Sequence, residues 1–195
     1  MSMSTHNSSA SAKPPADNPV IELAGATITS DEFRSAFRNH AGGVAVITAD
    51  AGSGPVGLTA TSVISVSLDP PLVVFSVSEL SSSTPTILAS DTVVIHLLGA
   101  DQIDIAKLCS TSGIDRFADT SIWSRLVTGE PFFPSAHAWI RGKIVNRMAA
   151  GGSTVIAVQA LQAMSPDASD TSLTVAAPLV YHNRTWHILG DHSKA

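Results

Sequence analysis

The stretch GPVGLTATSVISVSLDPPLVVFSV, from Gly54 to Val77, permits few folds. Val, Ile, Thr and Ser crowd it, Asp69 is its one charge, and Pro70 and Pro71 divide it. β-Branched residues lose rotamer freedom in a helix and pack well on a pleated surface. The spacing therefore predicts one long strand to about Leu68, a break at Asp69-Pro70-Pro71, and a second strand over LVVFSV. Thr59, Thr61, Ser62, Ser65 and Ser67 sit within this pattern, with no lysine, histidine or second carboxylate nearby to activate them. Such hydroxyls are suited to binding, not to nucleophilic chemistry.

The rest of the chain follows suit. VAVIT (44–48), TVVIHLL (92–98), HAWIRGKIV (137–145), STVIAVQALQA (153–163) and LVYHNRTWHIL (179–189) read as strands, the last as a hairpin around Asn183-Arg184. Helices are few. Thr29 and Glu32 form a capping box ahead of Phe33, Ala36, Phe37 and His40, with Gly42 and Gly43 as the stop. SSSTPTILAS (81–90) predicts a short helix with Thr84 as N-cap and Pro85 at its first position, and DQIDIAKLCS (101–110) predicts another. STSGIDRFADTSIWSRLVTGEP (110–131) reads as a long loop region. Strands that do not alternate with long helices argue against a doubly wound parallel sheet. The expected fold is mainly β: a closed antiparallel barrel of Greek-key type with a few short peripheral helices.

A chain of 195 residues can bury one substantial core, expected from about residue 28 to 190. MSMSTHNSSASAKPPADNP lacks an apolar core and reads as a disordered tail over residues 1–20. Only 14% of residues are charged and mean hydropathy is +0.25, values that a large buried subunit interface would explain. Net charge is −5 with no basic cluster, which argues against nucleic acid or an anionic membrane as partner. No apolar run is long enough to span a bilayer, and a single cysteine, Cys109, suits a reducing cytoplasm.

Several catalytic patterns fail on inspection. GSGPVG matches the dinucleotide-binding GxGxxG, but a β-prone run follows it where a helix N-terminus is needed, so it reads as a hairpin loop. Seven histidines form no helical metal-binding pair, and no GxSxG elbow occurs. No metal site is expected, and Cys109 is expected to fill core. SSSTP is more informative: hydroxyls, free helix N–H groups and the helix dipole together suit a phosphate. Two hydroxyl-rich segments in a β-rich chain point to chemistry carried by a bound cofactor.

FRSAFRNHAGGVAVIT, GPVGLTATSVISVSLDPPLVVF, SSST, VIHLL, DRFAD, TGEP and PLVYH together resemble one family, over about Phe33 to Leu189. These are the short-chain flavin reductases with the FMN-binding split-barrel fold. GPVGLTATS, SSST, VIHLLG and DRFAD are most similar to the NADH:FMN oxidoreductase components of dibenzothiophene-desulfurising two-component monooxygenases.

The resemblance implies roles residue by residue. Thr59, Ala60, Thr61 and Ser62 would line the isoalloxazine edge, and Ser81, Ser82, Ser83 and Thr84 would hold the FMN phosphate. Asp115, Arg116 and Phe117 would close over the flavin and nicotinamide face. His96 stands where many relatives carry Asn. Gly151, Gly152 and Ser153 stand where relatives usually carry Gly-Asp-His, whose His helps form the nicotinamide pocket. The tripeptide Gly190-Asp191-His192 has no following strand and is not the same feature.

The implied activity is hydride transfer from nicotinamide C4 to flavin N5, with no general base required. NADH or NADPH would be the donor, and FMN or FAD the acceptor. Reduced flavin would reach a monooxygenase by diffusion, and the site would lie in a homodimer. A flavin carrier without reductase activity is the alternative, motivated by the missing Asp and His. A split-barrel binder of some other planar ligand is more distant.

Overall fold

The structure, a computed structural model, describes residues 27–165 and 176–195. The expected disordered tail lies outside the described residues. Helix α1 (Ser30–Arg38) opens on the capping box: Glu32 N–H donates to Thr29 Oγ1 at 3.2 Å, and Thr29 N–H to Glu32 Oε2 at 2.7 Å. The helix ends at Asn39, before the two glycines expected to stop it. Those glycines form a short strand instead, β1 (Gly42–Gly43). A Cβ at Gly42 would stand 2.9 Å from Thr61 Cβ, so glycine is what lets β1 approach Thr61.

The strands that follow are β2 (Ala45–Asp50), β3 (Pro55–Ala60), β4 (Ile64–Leu68) and β5 (Pro71–Ser78). The long strand expected up to Leu68 is therefore two strands, broken at residues 61–63. Ser62 causes the break: its Oγ accepts from Ser76 N–H at 3.0 Å and donates to Ser76 C=O at 3.3 Å. A hydroxyl bonded to backbone in this way competes with ladder pairing. GSGPVG is the loop between β2 and β3, as expected, with Gly52 and Gly54 N–H groups donating to Asp50 Oδ1.

After α2 (Thr84–Ala89) come β6 (Thr92–Leu97) and α3 (Ile103–Ser110). The long loop region carries two short strands, β7 (Ser124–Arg125) and β8 (Pro131–Phe132), which pair with each other. β9 (Ala138–Ala150) and β10 (Ser153–Met164) make a long hairpin turned at Gly151, whose φ is +63°. β11 (Leu179–His182) and β12 (Thr185–Ile188) form the expected hairpin around Asn183-Arg184.

Seven strands pair antiparallel in the order β3-β2-β6-β9-β10-β5-β4, and β1, β11 and β12 make a second, three-stranded sheet. This is a split barrel. Its edges, β3 and β4, are consecutive in the chain, and Ser62 ties their link to β5.

Side chains alternate across β2, as a pleated strand requires. Ala45, Ile47 and Ala49 enter the barrel core with Phe75, Ile87, Ile95, Ile156 and Val158. Val44 and Val46 face the other way, into a second core with Ile105, Cys109, Phe117, Phe133 and Leu179. Each large side chain so buried contributes about 1.5–3 kcal/mol. The second core fixes α3 and the loop region against the barrel wall. Among the described residues no helix is long and apolar enough to cross a membrane.

Candidate functional site

Two places bring the sequence-flagged residues together. The first is the serine turn ahead of α2. Ser83, not Thr84, is its N-cap, and Ser83 makes no side-chain cap bond. Its Oγ donates to Gly57 C=O at 2.8 Å and accepts from Arg116 Nη1 at 3.0 Å. Thr84 Oγ1 donates to Ser78 C=O at 2.6 Å. Both residues are buried, and their hydroxyl hydrogens bond to backbone carbonyls that build the turn. Ser82 is exposed and Ser81 half-buried, which leaves those two hydroxyls open.

Arg116 is fixed beside them. Its Nε and Nη2 donate to Thr111 C=O at 3.2 and 2.8 Å, folding the loop back on itself. A guanidinium carries five donors, so N–H groups remain for an anion at this turn. Asp115 Oδ1 accepts from Phe117 N–H at 2.9 Å and shapes the same loop. The Phe117 ring packs inward. It is buried, edge-on to Trp123 at 5.2 Å and stacked on Phe133 at 5.8 Å, and so anchors the loop.

The second place is a cleft of about 560 Å³ beside the β3–β4 link. Thr61 and Ser62 line it. Thr59 and Ala60 do not: Thr59 Oγ1 donates to Ala106 C=O at 2.6 Å, tying β3 to α3, and Ala60 is buried in the barrel core. The opposite walls come from α1 and the β11–β12 hairpin, through Phe33, Phe37, Arg38, Tyr181 and Arg184. The helical spacing of Phe33 and Phe37 predicts only a helix face, and nothing local ties them to Thr61. Their placement depends on Gly42 pairing with Tyr181 and on Asn183 N–H donating to Arg38 C=O at 3.2 Å.

Gly151 and Gly152 form the exposed tip of the β9–β10 hairpin, half-buried Ser153 opens β10, and Glu79 N–H donates to Gly152 C=O at 3.1 Å. A side chain at Gly152 would meet open space. Cys109 is buried and its thiol is pushed up to about 12 by that burial, which outweighs the nearby Arg116 charge. It fills core, as expected. Among the described residues no group of three or more His, Cys, Asp or Glu side chains is placed to hold a metal.

Residues 37–190 match the flavin reductase like domain. The chain belongs to the flavin reductase family. It is 41% identical over 160 residues to the NADH:FMN oxidoreductases of Rhodococcus qingshengii and Rhodococcus erythropolis, covering 82% of this chain and 82% of each of those. A flavin reductase domain protein from Arthrobacter sp. FB24 superposes with a TM-score of 0.75 at 29% identity, over 83% of this chain and 96% of that one. BorF, the flavin reductase component of a bacterial two-component tryptophan halogenase, superposes at 0.71 with 29% identity, over 84% and 99%. The family carries the fold reading from the serine turn to the PLVYH strand.

The donor set fits a flavin mononucleotide. Open seryl hydroxyls and a tethered guanidinium suit a phosphate at the turn, and a hydroxyl-edged cleft suits a planar polar ring.

Proposed function

We propose that this flavin reductase family member is an NADH-dependent FMN reductase that releases reduced FMN to a separate flavin-dependent monooxygenase. The observation that carries the reading is the 41% identity to the Rhodococcus NADH:FMN oxidoreductases across four-fifths of both chains. Ser81, Ser82 and Arg116 hold the FMN phosphate, with Ser83 and Thr84 shaping the turn that presents them. Thr61 and Ser62 line the ring edge, with Thr59 and Ala60 fixing the strand behind it. Asp115 and Phe117 hold Arg116 in position. Bound flavin supplies an acceptor at N5 for the nicotinamide C4 hydride. The chain contributes alignment of the two rings and exclusion of water by Phe33, Phe37 and Tyr181 in the cleft wall.

A homodimer in a reducing cytoplasm completes the proposal. Val66 and Leu68 on β4, Val145 and Met148 on β9 and Leu161 on β10 all leave large apolar side chains in solvent, which supports a partner copy. A desulfurising oxygenase is the partner that the resemblance carried by GPVGLTATS, SSST, VIHLLG and DRFAD implies. The carrier alternative rests on Gly152 and Ser153, where the family resemblance implies an Asp and a His.

The deciding experiment follows NADH absorbance with purified protein and no flavin, then FMN, FAD or riboflavin, and repeats the series with NADPH. FMN-dependent NADH oxidation is expected. FMN binding without oxidation of either nucleotide would leave the carrier.

A further inference from the structure

His182 on β11 and His187 on β12 meet on one face of the second sheet. Helical spacing excludes a metal-binding pair in this chain, but a hairpin brings residues together by register. His182 pairs with Thr185, and His187 with Val180, so the two histidines are diagonal neighbours two steps apart on the ladder and share a face. Tyr181 and Trp186 leave the opposite face and pack against the second core. The two imidazole centres stand 5.4 Å apart, with their planes tilted by 58°.

That separation suits a shared ion. Two imidazoles bound to one tetrahedral zinc at about 2.0–2.1 Å hold their centres roughly 5 Å apart. His187 is exposed and His182 half-buried, so water can complete the coordination. Among the described residues the histidine paired with a carboxylate is His137, 2.6 Å from Asp101, and neither hairpin histidine is so engaged. The backbone beneath the pair is already set. β11 is bonded on both edges, to β12 and, through Val180 and Tyr181, to Gly43 and Gly42 of β1. Asn183 N–H ties the turn to Arg38 C=O. Little ordering remains to oppose binding.

We propose that His182 and His187 form a two-imidazole site for a late first-row divalent cation such as zinc or nickel. Imidazole nitrogens suit these ions, whereas magnesium and calcium prefer oxygen ligands. No third His, Cys, Asp or Glu is placed to join the pair among the described residues, so water fills the remaining positions and the ion exchanges. A bound ion cross-links β11 to β12. It also sets a positive charge at the rim of the cleft, which His182 lines. The site stands apart from the reductase reading and does not depend on it.

Zinc chloride is the probe, on the full chain free of any purification tag. Calorimetry should show zinc binding in the micromolar range, and magnesium chloride should give no binding under the same conditions. His182→Gln and His187→Gln should each weaken zinc about tenfold or more, because a single imidazole keeps no chelate. His137→Gln should leave zinc affinity unchanged. Zinc at about ten times its dissociation constant should raise the wild-type melting temperature by about 3 °C and that of neither hairpin variant. Without zinc, both variants should melt with the wild type. In proton NMR of the wild type, the ring signals of His182 and His187 should shift together as zinc is added. Those signals need no variant, so they decide the case if either substitution unfolds the hairpin. No zinc binding, equal zinc affinity in the wild type and both variants, or shifts confined to other histidines would overturn the site. Magnesium binding as tightly as zinc would do the same.

Discussion

At the scale of single residues, His96 is the most constrained side chain in the molecule. It is fully buried between β2 and the loop before β9. A carbonyl can only accept, so the 3.0 Å contact to Val46 C=O puts the proton on Nδ1. Nε2 then accepts from Phe133 N–H at 3.1 Å. Protonating Nε2 would set donor against donor, and burial, partly offset by the Val46 contact, already holds the imidazole down at about 4 from an ordinary 6.5. The unfolded chain binds this proton below 6.5 and the folded chain does not. The stabilisation is thus whole above about pH 6.5 and falls away as pH drops toward 4, by about 3 kcal/mol. Urea unfolding at a series of pH values should show that slope, and His96→Asn should flatten it while costing about 1–3 kcal/mol near pH 7.5, because Phe133 N–H loses its acceptor. A slope unchanged by the substitution would assign the acid loss to other groups. Glu130, held at about 2, keeps its stabilisation whole above its ordinary 4.5 and loses it only as pH falls from there toward 2, so most of the His96 slope lies at higher pH.

At the scale of elements, the loop region between α3 and β9 is held as firmly as a strand. Burial alone would raise the Glu130 carboxyl, but Arg141, Thr128 and Thr92 outweigh it. Arg141 Nε and Nη2 donate to Oε1 at 2.8 and 2.7 Å, Thr92 Oγ1 to the same oxygen at 2.6 Å, and Thr128 Oγ1 to Oε2. This network pins the TGEP segment to β6 and β9. Glu130→Ala leaves the Arg141 charge buried without its partner, and should cost about 3–5 kcal/mol in chemical denaturation. A loss below about 1 kcal/mol would mean that the pair is solvated in practice. How much of this was legible depended on range. The α1 capping box was readable because its partners are three residues apart, and the Asn183-Arg184 hairpin because its turn is local. The β3–β4 break was not, since Ser62 finds its partner on Ser76 across the sheet. At the serine turn the partners of Ser83 and Thr84 were not legible either, because no spacing rule relates them to Gly57 and Ser78.

At the scale of the whole molecule, the apolar composition leaves a visible remainder outside the two cores. Leu68 is 90% exposed, and Val66, Met148 and Leu161 are more than half or close to half exposed. Burying such side chains against a second copy would stabilise association by about 25 cal/mol per Å² of apolar surface covered, before the entropic cost of joining two chains. Sedimentation should give twice the chain mass for the wild type. Leu68→Glu combined with Met148→Glu should shift it toward the single-chain mass, because each charge would have to be desolvated at the contact. A monomeric wild type would leave these patches without the role proposed for them.

The β9–β10 hairpin also sets the tempo at which the chain can reach this state. β5 and β10 pair with Ser78 opposite Ser153, and β6 and β9 with Thr92 opposite Lys143, so the two ends of the hairpin layer are filled by strands made much earlier. Closing a loop of that length costs on the order of 2 kcal/mol more than closing a ten-residue turn. Such pairings put folding in the range of roughly milliseconds to seconds, not microseconds. Newly made chains emerging N-terminus first would expose β2 to β5 until the hairpin arrives, and that interval is when the hydroxyl-rich, weakly charged strands at the barrel's edge are open to pairing with the wrong neighbour.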